Sequence, residues 1–382
     1  MPKKITKKKS STKKSSPQIP AYNGWDLYRD GITQSLLCKF IIDRHRFWIR
    51  TVKGLQQDIG FVHRMEYGSL MHAGFEGFGS AKTQKNFNFD KAVEKGLNGI
   101  KHYASRLKKL YPQANVSFWS YVAQGQFKLY CQHYKRRDQK RVYVFYEREF
   151  TVPTSLPSGR VIPLRGKYDE GFISEHKKTL GVLQENKVKG DIDEEGIAMS
   201  LNLDLQTMLY LHSLDLSKEF SPLAFRECLY NVVLRPGGGK YPIRQKKEET
   251  ERQFADRMLS LVQENPSKYF HRWNVEVSEK ALHKFRQCVL YPLLEQLADW
   301  WDSIKNNPLD PFRTYSCPPN GDPVTFHNGQ HFIRPFGVYD TLALGNRGDY
   351  FDYIISGGTN LVGLQKKELF SELTAPSLAT EN

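Results

Sequence analysis

Cysteine is scarce and scattered in this chain: Cys38, Cys131, Cys228, Cys288 and Cys317 are odd in number and none forms a C-x-x-C pair. That pattern fits a reducing compartment better than a disulfide framework, so a cytoplasmic address is expected. No run of apolar residues approaches the roughly 18 that a membrane span requires, which leaves no expected membrane partner. The first twenty residues contain no acid and no apolar h-region, so they do not read as a secretory signal. A G-x-x-x-x-G-K-[ST] sequence is also missing, because Gly237-Gly238-Gly239-Lys240 is too short and runs into Tyr241. An ATP-driven motor is thereby excluded. No internal repeat is visible.

What the chain has in quantity is positive charge. At 382 residues it can bury a sizeable core, as one elaborated domain or two. The formal net charge of +15 speaks to association with a polyanion, and nucleic acid, specifically DNA, is the leading partner. Seven of those charges are lysines in the first twenty residues, among Ser, Thr and Pro, and the remainder is still basic. Residues 1–21 therefore read as a disordered basic tail, either a DNA-binding arm or a solvated bystander.

Periodicity organises the rest. Residues 22–140 read as mainly helical, with apolar spacing at Leu36, Leu37, Phe40, Ile41, Phe47 and Trp48 and then about three helices over 56–136. The pattern changes near 141. Val142 to Tyr146 reads as a strand, Val161 to Ile173 as a second and Leu180 to Gln184 as a third after a polar turn, Ser174 to Lys178. A helix over about 194–214 and a returning strand, Phe225 to Leu234, complete a core at 141–235. A helical extension follows over 236–305, with helices at about 248–264 and 279–305. Residues 306–382, rich in Gly, Pro, Asn and aromatics, read as an irregular appendage packed on the core, frayed after Leu373. The class is α/β, a central mixed β-sheet flanked by helices.

Four short segments carry chemistry: Gly68, His72 and Glu76 at i, i+4 and i+8; Asp169 in Arg165-Gly166-Lys167-Tyr168-Asp169; Glu185-Asn186-Lys187; and Gln206 with Tyr210. Two carboxylates on adjacent strands can converge on a hard cation such as Mg²⁺. Lys187 follows Glu185 by two, so both side chains leave the same face of a strand. The ammonium can then orient a nucleophile or offset charge on a phosphate. Taken alone, an E-x-K pair is more often a surface pair, but apolar Leu180, Val182 and Leu183 suggest a partly buried strand, where charges need partners. Gly68, His72 and Glu76 share one helical face. There Gly68 would permit close approach of backbone, His72 could offer a neutral nitrogen to a metal, and Glu76 could orient the histidine. A lone histidine of this kind is more often a core or surface residue. Gln206 and Tyr210, one turn apart, are either ordinary amphipathic patterning or a pair that contacts the phosphate backbone or braces the lysine.

Taken in order, these segments resemble a RecB-like exonuclease of the PD-(D/E)xK nuclease superfamily, among them phage and CRISPR-associated members. The resemblance covers roughly residues 60–235 and continues more loosely through Tyr230-Asn231-Val232-Val233-Leu234-Arg235-Pro236. It implies a restriction-endonuclease-like core. It further implies that His72, Asp169, Glu185 and the backbone carbonyl of Val188 hold Mg²⁺ or Mn²⁺, that Lys187, Glu185 and Asp169 are catalytic, and that Gln206 and Tyr210 form the Q-x-x-x-Y helix. Many such enzymes hold an iron–sulfur cluster through one upstream and three C-terminal cysteines. Here only Cys38 stands upstream and only Cys317 lies in the C-terminal region, so no iron–sulfur cluster is expected.

The expectation is thus a metal-dependent DNA nuclease, an exonuclease in recombination, repair or phage DNA processing, in a bacterial or phage-infected cell, with a recombination or annealing protein as a further partner. Two alternatives stay open: a structure-specific endonuclease with the same site, and a non-catalytic DNA-binding module on a nuclease fold.

Overall fold

The computed structural model describes residues 24–305, apart from 43, 58–59, 83–86, 202–203 and 239–242, together with 325–327, 330–332, 361 and 364–367. The basic tail and most of the C-terminal appendage lie outside the described residues.

The chain opens with α1 (Leu27–Asp30), whose N–H groups are capped by Asp26, then β1 (Ile32–Thr33), α2 (Gln34–Ile42), α3 (Arg44–Phe47), a π turn at Trp48–Val52, and β2 (Leu55–Gln57). Three long helices follow as expected: α4 (His63–Lys82), α5 (Phe89–Leu110) and α6 (Val116–Asp138). Asn88 and Asn115 start the second and third by accepting from free first-turn N–H groups. Then come β3 (Tyr143–Ser155), β4 (Val161–Ile173) and β5 (Leu180–Lys189).

In place of the single helix expected over about 194–214 there are two, α7 (Glu194–Ser200) and α8 (Leu205–Ser217). The break has a local cause: Asp204 accepts from the Thr207 N–H at 2.8 Å and restarts the helix. After β6 (Ala224–Leu234), α9 (Glu251–Glu264) and α10 (Pro266–Tyr269), a strand that the sequence reading lacks, β7 (Phe270–Glu276), pairs antiparallel with β6. The chain continues through α11 (Glu279–Phe285), a π turn at Arg286–Leu290 and α12 (Tyr291–Ile304), with β8 (Thr325–His327), β9 (Gln330–Phe332) and β10 (Leu364–Lys366) beyond. The last pairs with β2, so this piece of the C-terminal segment does join the body.

The architecture is α/β, a mixed central sheet with helices on both faces. Its order is β1-β4-β5-β6-β7, with β3 on the other edge of β4. β5 and β6 run parallel, and β3, β4 and β5 form an antiparallel meander. On one face the sheet packs against α8, α11, α12 and the N-terminal helices, where Trp25, Phe40, Phe47, Trp300 and Trp301 interlock edge to face. A second core lies among α4, α5, α6 and α9. No described helix is long and apolar enough to cross a membrane.

One detail of the sheet positions the site. Along the same edge of β4, β1 pairs at Leu164 and Arg165 and β5 pairs only from Glu170 to Ile173. The residues between, Gly166 to Asp169, face a slot where β5 has turned away to join β6.

Candidate active site

The slot gathers most of the residues singled out in the sequence. Where the β4–β5 ladder ends at Glu170 and Gln184, the Asp169 carboxylate replaces the next backbone acceptor and takes the Asn186 N–H at 2.7 Å. Glu185 lies opposite Asp169 in the continued register. As the i, i+2 spacing requires, Lys187 shares its face and donates to Glu185 Oε1 at 2.6 Å. Gln206, on the first turn of α8, closes the triangle. Its Oε1 accepts from Lys187 at 2.8 Å and its Nε2 donates to Glu185 Oε1 at 2.6 Å. Gln206 thus braces the lysine, one of the two roles its spacing suggests.

Electrostatics in the slot are strained. The Glu185 side chain is 4% exposed, whereas Lys187 reaches solvent at 29%. Burial, reinforced by the Asp169 charge, pushes the Glu185 carboxyl up to about 8 despite Lys187. Burial also opposes the charge of Lys187, but Glu185 and Asp169 more than offset it and raise the ammonium above its ordinary value. Glu185 Oε2 is buried and has no hydrogen-bond partner among the described residues.

His72 projects from α4 near enough for the charges of Asp169, Lys187 and Lys167 to act on it. Burial first, then the two lysines, hold the imidazole below its ordinary value and so neutral, while its ring meets Phe75 edge to face. No described residue hydrogen-bonds to it. Glu76 does not orient it, contrary to expectation; the Glu76 charge acts on Glu147, Lys167 and Tyr146 instead. Nor does Gly68 serve close approach, since an added Cβ would meet nothing within 4 Å. Tyr210 is buried between Phe150 and Tyr168, with centroids 5.6 and 5.5 Å away, and its hydroxyl lies near Gln206 and Glu185. Val188 sits in the parallel ladder opposite Val233.

The sequence reading misses Glu147. It lies between the pairs Tyr146–Glu170 and Arg148–Tyr168, and therefore opposite Asp169. Its φ is 40°, a conformation that L side chains rarely adopt. The consequence is visible in its neighbours. Phe145 and Phe150, five apart, both pack on Tyr168 with centroids at 5.5 and 4.3 Å, although regular alternation would send them to opposite faces. Glu147 forms an ion pair with Lys167, and burial plus the Asp169 charge push its carboxyl up to about 8. Three carboxylates, Glu147, Asp169 and Glu185, thus lie in a row across three strands, interleaved with two lysines. The available signal was Lys167, two residues before Asp169 and so on its face.

Among the described residues no group of three or more His, Cys, Asp or Glu side chains forms a ready-made metal cage. Glu185 Oε1 and Asp169 Oδ2 are engaged instead by Lys187, Gln206 and the Asn186 amide. The donor chemistry nonetheless fits a hard divalent cation: two carboxylates that repel each other, one buried oxygen with nothing to meet it, and a neutral imidazole nearby. Compared with known proteins, the chain matches no family model and no curated protein.

Proposed function

We propose that this chain is a Mg²⁺- or Mn²⁺-dependent deoxyribonuclease with a RecB-like PD-(D/E)xK core, acting as an exonuclease in DNA recombination, repair or phage DNA processing in the cytoplasm. The observation that carries the reading is the Glu185–Lys187–Gln206 triangle beside Asp169, with Glu185 Oε2 buried and unmet. Asp169 and Glu185 would hold the cation, with His72 and the Val188 carbonyl completing its surroundings. When bound, a divalent cation neutralises the carboxylates, polarises a phosphodiester and makes water a stronger acid.

The protein's own groups do the rest. Lys187, partly exposed at the mouth of the slot, donates to the attacked phosphate and meets negative charge as it develops there. Gln206 holds the ammonium in place, so its orientation needs no rearrangement during reaction. The neutral His72 adds no positive charge, and as an imidazole it favours Mn²⁺ over Mg²⁺. Tyr210 and Tyr168 close the floor against water. The chain's surplus of positive charge draws the polyanion to this surface.

The test is to incubate the purified protein with end-labelled linear and closed circular DNA, with Mg²⁺ or Mn²⁺ and with EDTA. Metal-dependent shortening of linear DNA alone is expected. Cutting of circles would make the enzyme an endonuclease. Binding without cutting in either metal would make it a DNA-binding module and end the nuclease reading.

A further inference from the structure

A second group of basic side chains lies away from the slot, at the start of α4. His63 and Arg64 open that helix, where the positive end of the helix dipole disfavours cations and favours anions. Arg235, just past the end of β6, brings a third. It is only 8% exposed, yet its guanidinium makes no hydrogen bond or ion pair among the described residues. Its contact is the Trp119 ring, 5.7 Å from guanidinium carbon to centroid. The His63 imidazole stacks on that same ring at 5.1 Å and 13°. The repulsion registers at Arg235 and His63: burial and then Arg64 lower Arg235, and burial, Arg235 and Arg64 lower His63.

The residue is enclosed while its guanidinium nitrogens keep contact with solvent, so a positive charge without a counter-charge stands open to an anion there. Beside it is a pocket of about 150 Å³ that Arg235 lines with Gly237, Gly238, Asn265 and Lys268, and that neither His63 nor Arg64 lines. A planar guanidinium fork suits two phosphate oxygens. We infer that His63, Arg64 and Arg235 form a phosphate-binding site that holds a phosphate of the nucleic-acid substrate apart from the one being cut. The inference rests on the nuclease reading for its substrate.

The placement fits. Lys187 pairs with Val232, so Arg235 is three residues farther, about 10 Å along the strand. His63 precedes His72 by nine residues, about 13 Å along the same helix. One nucleic-acid strand can therefore reach both sites. The phosphate could be a terminal monoester or an internal diester, and the two are separable.

The experiment is run in EDTA, without turnover, so that failure of the nuclease reading would leave it standing. First, melting is compared in inorganic phosphate and in chloride at equal ionic strength. Phosphate should raise the melting temperature of the wild type and not that of Arg235→Gln. Second, fluorescence anisotropy is measured with 5′-phosphorylated, 3′-phosphorylated and unphosphorylated oligonucleotides. Arg235→Gln should bind about tenfold more weakly or worse. A loss confined to one phosphorylated end identifies a terminal phosphate, and an equal loss on all three identifies an internal diester. Arg64→Ala, at an exposed position, decides the matter by the same two measurements if Arg235→Gln does not fold. Unchanged affinity together with no phosphate-specific rise in melting temperature would overturn the site.

Discussion

Two buried carboxylates in one molecule, Asp138 and Glu185, show what partners do. Asp138, at the end of α6, accepts from Arg272 Nη1 at 2.7 Å and Nη2 at 2.9 Å and from Arg141 at 3.0 Å. Arg272 in turn donates to Tyr130 and Asn231 and covers the Tyr134 ring at 3.5 Å. Burial alone would raise the Asp138 carboxyl, but Arg272, with Lys82 and Arg141, outweighs it and holds the group down at about 2. Glu185 is as deeply buried and is pushed the other way, to about 8. It has one lysine to share with a neighbouring carboxylate, and one oxygen with no partner. The first arrangement is finished and ties α6 to β6 and β7. The second is unfinished by one positive charge, which is the property expected of a site that binds a cation.

Substitutions can break the comparison. The largest effect belongs to Lys187→Ala, which should lower cleavage by about 100- to 1,000-fold while leaving DNA affinity nearly unchanged, since the lost donor matters at the reacting phosphate. Steady-state rates beside a binding isotherm check it, and retention of most activity would defeat the role of Lys187. Asp138→Ala should do the opposite. Leaving Arg272 buried and uncompensated should cost about 3–5 kcal/mol of stability, read by urea unfolding. Glu185→Gln, by contrast, removes a charge that the metal-free fold satisfies poorly, so its unfolding midpoint should match or exceed that of the wild type while turnover is lost.

A smaller effect comes from pH. The unfolded chain protonates Asp138 near the ordinary 3.8, whereas the folded protein keeps it ionised to about 2. The unfolded state takes the proton first, so this contribution is whole above 3.8 and disappears as pH falls to 2. It amounts to about 2 kcal/mol. Unfolding of the wild type and Asp138→Asn at pH 5 and near pH 2 checks it: the gap between them should narrow by about that amount. The smallest expected change is Gly68→Ala, where the added methyl meets nothing. It should stabilise α4 by about 0.5–1 kcal/mol, and a loss of stability there would mean that something packs on Gly68 after all.

Much of the fold was legible because it rests on local rules. Apolar spacing gave three helices over 56–136, and the runs Val142 to Tyr146, Val161 to Ile173 and Leu180 to Gln184 gave the meander with the i, i+2 meeting of Glu185 and Lys187, although β3 runs on to Ser155 and β5 to Lys189. Failures occurred where the deciding contact is distant. β7 is short and without regular alternation, and only pairing with β6 makes it a strand. The break between α7 and α8 turns on one side chain, Asp204. Glu147 was invisible because its place beside Asp169 depends on strand register and on a left-handed backbone that no local pattern announces. The same limit explains Glu76, which shares a helical face with His72 but whose charge meets Glu147 and Lys167 across the fold.

The central claim is that the carboxylates of the slot, with Glu185 Oε2 unmet, exist to hold a divalent cation. Calorimetric titration with Mn²⁺ tests it directly, on the wild type, Asp169→Asn, Glu185→Gln and, as a control outside the slot, Asp138→Asn. Saturable binding to the wild type and to Asp138→Asn, lost or greatly weakened in both slot variants, is the predicted result. Equal Mn²⁺ affinity in the wild type and the two slot variants, or no binding by any of them, would contradict it.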